Sequence, residues 1–383
     1  MERHNAPLTP YAGIHSGGER LLRAWLRLHR ATGFGACPSW QTALAAVGGD
    51  AAALLERGPR EWRLLGLSAA VVRKLRKPTD DLSQVRQWLD TPGCTLVHFY
   101  HRHYPYLLKQ IDSPPPLLFV CGLSSCLAAP QLAIVGSRKP STGASRNAFS
   151  FARALAECGL TITSGLAVGI DTQAHRGALA AGARTIAVAA TGPDLVYPAR
   201  NRELAGQIVG NGAIVTEFPP GMPVRRWQFP RRNRLISGLS VGVLVVEAGL
   251  RSGSLTTARH ALAQGRDVFA VPGSINNPLT RGCHQLIRDG AALVENIEDI
   301  GNEIGTLVDV TLSTMAADAG ECTGTLAPAS KRLLDVMGFD PIAPDELIQR
   351  TGLTAQKLSS ILLTLELEGY VTAEPGGRYL RIH

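Results

Sequence analysis

Between residues 91 and 300, nine short apolar runs alternate with helix-sized segments rich in alanine and leucine. This alternation leaves few folds open. The runs cover 95–99, 117–121, 132–136, 160–163, 185–190, 213–216, 241–246, 267–271 and 292–294. The helical segments between them include 144–158, 172–182, 200–210 and 254–264. Strand–helix alternation demands crossover connections, and these give a mainly parallel sheet with helices on both faces. Ala133-Ile134-Val135 and Val243-Leu244-Val245-Val246 lack the polar alternation of a half-exposed strand, as strands buried on both faces should. The fold class is α/β.

The flanking segments read differently. Residues 1–90 carry helical stripes (Leu21, Leu22, Trp25, Leu26, Leu28, then Leu44, Val47, Leu54, Leu55) punctuated by Gly48, Gly49, Gly58 and Gly66. Short glycine-broken helices of this kind serve either as DNA-backbone clamps or as packing modules. Residues 301–329, rich in Gly, Ala and Thr, read as a linker. In 330–383 a first helix over Lys331–Val336 precedes a second opened by Pro344 and turned at Gly352. Thr354 caps a third, which runs to Glu368. Tyr370–Thr372 and Arg378–Arg381, joined through Pro375-Gly376-Gly377, complete the order of a winged helix. Its presumed recognition helix offers Lys357 against Glu366 and Glu368, which favours protein contact or packing over phosphate binding.

With 383 residues, two or three domains are expected. The net charge of +8 is confined to the first two segments: residues 1–90 hold 13 basic and 8 acidic side chains, 91–325 hold 20 and 16, and 326–383 hold 6 and 7. A polyanionic partner is favoured. The 33 Arg against 6 Lys suit bidentate phosphate binding, although a GC-rich genome gives the same bias. Seven scattered cysteines form no C-x-x-C pair, so neither a zinc site nor a disulfide framework is indicated and a reducing cytosol is expected. No apolar leader or membrane-length stretch is present, which makes the cytoplasm the expected location.

Ligands of a parallel sheet bind at the carboxyl ends of its strands. Six glycine- and serine-bearing loops follow the strands there, among them Gly136-Ser137-Arg138, Ser164-Gly165 through Gly169-Ile170-Asp171, and Arg251-Ser252-Gly253-Ser254. Glycine admits a close anion, and hydroxyl and N–H groups donate to it. After 213–216 comes Arg225-Arg226-Trp227-Gln228-Phe229-Pro230-Arg231-Arg232-Asn233-Arg234, with five arginines and two aromatics in ten residues. Such a run is either a solvated basic loop or a single-strand binder, in which guanidiniums grip phosphates and Trp227 or Phe229 stacks a base. Arg138, Arg200, Arg232, Arg234 and Arg251 all map near one sheet edge. Of the usual catalytic signatures there is no Walker A, no clean G-x-G-x-x-G and no H-E-x-x-H. Asp171 and His175 read as a helix cap and a packing histidine, His101 and His103 as surface residues, and Glu247 as an anchor for a neighbouring arginine. Neither a cofactor nor a metal is expected.

These motifs together, with Tyr197-Pro198, Arg232-Asn233-Arg234-x-Ile236-Ser237-Gly238-Leu239-Ser240 and Glu247-Ala248, resemble DNA-processing protein A (the DprA/Smf family) in the right order from about residue 95 to 300. Thr191-Gly192-Pro193-Asp194 stands where the family often has Leu-Gly-x-Gly-Leu-Asp. The resemblance implies an N-terminal sterile-alpha-motif-like helical domain (1–90), an extended Rossmann-like, mainly parallel core (91–300) and a C-terminal winged helix (330–383). It also implies a non-enzymatic cytoplasmic homodimer, without membrane attachment, that binds and protects incoming single-stranded DNA and loads RecA recombinase in natural transformation. The DNA-binding residues it implies are Gly136, Ser137, Arg138, Ser164, Gly165, Gly169, Arg200, Arg232, Asn233, Arg234, Arg251, Ser252, Gly253 and Ser254. The competing reading is a Rossmann-fold enzyme of the nucleoside monophosphate phosphoribohydrolase type, with Glu247 as its carboxylate. This chain lacks the Pro-Gly-Gly-x-Gly-Thr loop of such enzymes. A third reading makes the winged helix a transcription factor's duplex reader.

Overall fold

The computed structural model describes residues 16–37, 39–77, 82–304, 328–337, 342–367, 371–374 and 378–381. From residue 305 to 327 the expected linker lies outside the described residues, as do the Pro375-Gly376-Gly377 turn, Glu368 and Tyr370. The chain divides into two units, Met1–Asp318 and Ala319–His383.

In the first unit the nine apolar runs are nine strands of one sheet: β1 Cys94–His98, β2 Leu117–Gly122, β3 Gln131–Val135, β4 Thr161–Ser164, β5 Thr185–Val188, β6 Ala213–Thr216, β7 Gly242–Val245, β8 Asp267–Ala270 and β9 Ala292–Leu293. Their order is β1-β2-β6-β5-β4-β3-β7-β8-β9. β1 and β2 run antiparallel to each other and β2 runs antiparallel to β6. All other neighbours are parallel. From β3 the chain winds outward through β4, β5 and β6, then returns to the far side of β3 for β7, β8 and β9. The switch point of the topology therefore lies between β3 and β7.

The central strands lack alternation because both faces are covered. Leu132, Ile134 and Leu244 enter the core beneath α8 (Thr142–Glu157) and α9 (Ile170–Ala180), while Ala133, Val135, Val243 and Val245 enter the core on the opposite face. α10 (Arg202–Asn211), α12 (Ser254–Ala263) and α13 (Arg281–Arg288) complete the two helical layers. The long α1 (Ser16–Ala31) and five short helices, α2 (Ser39–Ala45), α3 (Ala51–Glu56), α4 (Pro59–Leu64), α5 (Ala69–Leu75) and α6 (Ser83–Leu89), share a core with Leu96, Leu117 and Phe119 of β1 and β2. Local chemistry starts them: Asp50 accepts the N–H groups of Ala52 and Ala53, and Ser68 accepts that of Val71. α7 (Tyr106–Lys109) links β1 to β2. His101 and His103, expected at the surface, are half-buried, and the His103 ring meets Ser124 Oγ at 2.9 Å.

The arginine run departs most from expectation. It is not a loop beyond residue 227, because Gln228–Leu239 forms α11, and every residue from Arg232 to Leu239 is buried. Apolar periodicity could not announce this helix, since four of its twelve positions are Arg or Asn and one is Pro. Pro230 sits in the first turn, where its missing N–H costs nothing.

The second unit is a winged helix. Helices Pro328–Met337, Pro344–Thr351 and Ala355–Leu367 bury Leu333, Leu347, Leu358 and Leu362 around Val371 of the antiparallel pair Val371–Glu374 and Arg378–Arg381. Gly352, at φ +67°, makes the left-handed turn expected of it.

Candidate nucleic-acid interface

Glycine lets the loops at the carboxyl ends of β3 and β4 cross in close contact. An added Cβ on Gly169, which has φ +85°, would lie 2.3 Å from Ser137 O, so the loop after β4 can pass against the loop after β3 only without a side chain. Ile170 N–H donates to Ser137 O at 3.1 Å and seals that crossing. Leu166 adopts φ +61°, which costs a leucine about 1 kcal/mol. Asn201 secures it by donating to its carbonyl at 2.9 Å.

Two cavities open along this edge. The first, of 440 Å³, lies at the switch point, lined by Gly136 and Arg138 after β3, by Asp171, by Phe229, Arg232 and Asn233 of α11, and by Ser252, Gly253 and Ser254 at the start of α12. The second, of 320 Å³, is lined by Lys139, Gly165, Tyr197 and Arg200 among others. Arg138, Ala167, Phe229 and Arg232 line both. The divide between them is a stack: the Arg138 guanidinium lies 5.5 Å from the Phe229 ring centre, and Tyr197 lies 5.9 Å from Phe229 on a tilted plane. Arg138 and Arg200 are exposed, and neither has an ion-pair partner among the described residues.

Beneath them Arg232 is only 4% exposed. It donates to the carbonyls of Gly165 and Val188 and, through Nε at 3.2 Å, to Asn233 Oδ1. Burial pulls its guanidinium down to about 10, opposed by the nearby Asp171 carboxylate. Burial in turn pushes the Asp171 carboxyl up, opposed by Arg232 and by the N–H groups of Ala167 and Gly165, each 3.2 Å away. An added Cβ on Gly165 would stand 2.7 Å from both Arg232 Nη1 and Asp171 Oδ2, so only glycine fits between guanidinium and carboxylate. Asp171 thus clamps the loop that precedes its own helix. His175, buried and bonded to Thr185 Oγ1 at 2.8 Å, is held neutral by burial with a pKa of about 3.

A third layer lies deeper. Glu217, fully buried after β6, pairs with Arg231 Nε at 3.0 Å and with Arg234 Nη2. Arg231 and Arg234 also donate to the carbonyls of Gly33 and Phe34 beyond α1, and Arg234 to that of Ser113. His29 Nε2 meets Glu217 O at 2.7 Å. The hub therefore binds α11 to the N-terminal helices.

Of the fourteen residues implied by resemblance, nine line the cavities: Gly136, Arg138, Gly165, Arg200, Arg232, Asn233, Ser252, Gly253 and Ser254. Five do not. Ser137 gives its N–H to Glu247 O at 2.7 Å, and Ser164 gives its hydroxyl to Ile134 O at 2.6 Å. Gly169 serves the crossing described above, Arg234 is committed to Glu217, and Arg251 is exposed outside both cavities. Glu247 anchors no arginine among the described residues: its carboxylate accepts from Ser141 N–H at 3.1 Å and from Asn277 Nδ2 at 3.4 Å. That role belongs to Glu217, which the sequence reading missed. Tyr197 and Lys139 were also missed as lining residues. Tyr197 carried a usable signal, being an aromatic beside a proline in a chain with only 5% aromatics. Trp227, 47% exposed, packs edge-on to Phe218 and lines neither cavity.

The sequence model of the DNA recombination-mediator protein A family matches residues 95–305, and that of the DprA winged helix domain matches residues 318–377. Protein Smf of Escherichia coli (strain K12) is 41% identical over 315 residues, 81% of this chain and 83% of that protein. DNA processing protein DprA of Streptococcus pneumoniae is 46% identical over 197 residues, 51% of this chain and 70% of that protein. The X-ray structure of the Streptococcus pneumoniae DprA superposes with a TM-score of 0.62 at 35% identity, covering 74% of this chain and 96% of that one. A structure of Helicobacter pylori DNA processing protein A, which concerns that protein's single-stranded DNA binding mode, superposes with a TM-score of 0.51 at 30% identity, over 57% of this chain and 96% of the other.

Proposed function

The chain belongs to the DNA recombination-mediator protein A family, and we propose that it binds single-stranded DNA along the two-cavity groove at the switch point. One observation carries the reading: Arg138, exposed and without a carboxylate partner among the described residues, lies on Phe229 at the wall shared by both cavities. A backbone phosphate satisfies that guanidinium, and unpaired bases find flat surfaces on Phe229 and Tyr197. Lys139 and Arg200 extend the positive rim. Arg232 and Asn233 shape the floor, while the first turn of α12 closes one end. The relatives' names and the binding mode described for the Helicobacter pylori protein support the same substrate.

On this reading the chain is a binder, not a catalyst. Glu247, on which an N-glycosidic hydrolase would depend, is 1% exposed and lines neither cavity. We place its action in the cytoplasm, as a homodimer that protects incoming single strands and loads RecA on them during natural transformation. Among the described residues no helix is long and apolar enough to cross a membrane.

A gel shift over a salt series, with single-stranded and duplex oligonucleotides of one length, tests the substrate. Single strands should bind more tightly, with log affinity falling by about 0.7 per decade of salt for each phosphate neutralised. Equal affinity for duplex, or binding indifferent to salt, overturns the reading.

A further inference from the structure

Cys94 and Cys121 stand 27 residues apart in sequence, yet they face each other across β1 and β2. Their sulfurs are 2.8 Å apart. The ladder fixes the geometry of this pair. Gly122 N–H donates to Gly93 O at 2.8 Å, one step along the register, and Phe99 N–H donates to Pro116 O at 3.0 Å at the other end. Hydrogen-bonded and non-hydrogen-bonded pairs alternate along an antiparallel ladder. Gly93 and Gly122 form a hydrogen-bonded pair, so Cys94 and Cys121 form a non-hydrogen-bonded one. In such pairs the Cα atoms are about 4.5 Å apart and the side chains approach most closely. That distance lies within the span of a disulfide.

Access and chemistry agree with the geometry. β1 is the edge strand of the sheet, and both thiols are half-buried, whereas Cys126 and Cys283 are buried. We propose that Cys94 and Cys121 are a reversible disulfide site, oxidised by a hydroperoxide. Either thiol can give the one hydrogen bond between the sulfurs; with Cys94 as its donor, Cys121 is held below the ordinary thiol range and Cys94 above it. In that arrangement Cys121 is the attacking sulfur. Its thiolate takes the distal peroxide oxygen: an S–O bond forms, the O–O bond breaks, and the leaving oxide is protonated to water or alcohol. Cys94 then attacks the sulfenic sulfur of Cys121. The S–S bond forms, the S–O bond breaks, and hydroxide leaves as water with the proton from Cys94. Two thiols lose two electrons in all, and the peroxide gains them. A cellular dithiol reverses the bond by exchange.

The bond would staple the edge strand to β2. The same pair of strands carries the helical layer, through Trp88 of α6 packed edge-on to Phe119 at 5.5 Å. Oxidation should stabilise the contact between layers without touching the groove.

The test uses the full reduced chain treated with a few equivalents of hydrogen peroxide. Remaining thiols are alkylated in denaturant, and the chain is digested with trypsin without reductant. The expected product links peptide 87–102 to peptide 110–138. Fragmentation should place the bond on Cys121 and not on Cys126, and dithiothreitol should abolish it. The thermal midpoint should rise by roughly 5 °C in the oxidised form and return on reduction. In Cys94→Ser the linked peptide should vanish and dimedone should label Cys121. Full alkylation of both residues after peroxide, or a bond from either to Cys126, Cys158 or a second chain, overturns the proposal.

Discussion

The rim of the groove and the hub beneath it are built from the same residue type, and they use it in opposite ways. On the rim, Arg138 and Arg200 are exposed, and Arg138 lies over the Phe229 ring. In the hub, Arg234 is 8% exposed and spends its donors on Glu217 and on backbone carbonyls from two distant segments. A guanidinium whose terminal nitrogens are turned onto partners inside the fold has little left for a phosphate, while one held by a ring keeps its fork. Arg232 lies between the two cases. It lines both cavities, but its Nη1 is used by Gly165 and Val188. Arg231, Arg232 and Arg234 are therefore mainly structural, and the first turn of α11 brings Phe229 to the groove.

Three substitutions separate rim from hub. Arg234→Ala should have the largest effect. It leaves the fully buried Glu217 carboxylate with Arg231 alone, and such a loss costs about 3–5 kcal/mol. Chemical denaturation should register it as a lower midpoint. A variant of normal stability that no longer bound DNA would move Arg234 to the rim.

The hub should also respond to acid. Burial holds His29 at about 3 against 6.5 in the unfolded chain. The unfolded state thus takes up a proton that the folded state refuses. The contribution of His29 is complete above pH 6.5 and is lost as pH falls towards 3, at about 1.4 kcal/mol per pH unit. His29→Gln should lower stability at neutral pH yet flatten this slope by about one proton, read from urea midpoints at several pH values. An unchanged slope would mean that the ring is charged in the fold.

The smallest change in stability should come from the rim. Arg138→Ala should shift the denaturation midpoint by less than about 0.5 kcal/mol, as surface changes do. It should nevertheless weaken single-strand binding about tenfold and reduce the salt slope by about 0.7. Loss of stability with unchanged binding would invert the assignment of rim and hub.

Much of the scaffold could be read without coordinates. All nine apolar runs are strands, and the segments at 144–158, 172–182, 200–210 and 254–264 fall on α8, α9, α10 and α12. The loops after β3 and β4 and before α12 announced the groove through their glycines and serines. α11 could not be read, because its buried face is polar and its partners, Glu217, Gly33, Phe34 and Ser113, lie far away in sequence. Glu247 was misjudged for the same reason: a buried carboxylate reveals its partner only in three dimensions, and here that partner is the start of α8. The cysteine pair escaped because spacing along the chain says nothing about register across a sheet.

The sheet and its edge of loops are legible from the order of residues alone. Hydrophobic runs and turn residues act over a few neighbours, and their periods survive in one dimension. Which arginines meet solvent is not legible there. Exposure of a charged group depends on whether carbonyls and carboxylates from remote segments arrive to satisfy it, and only packing brings them there.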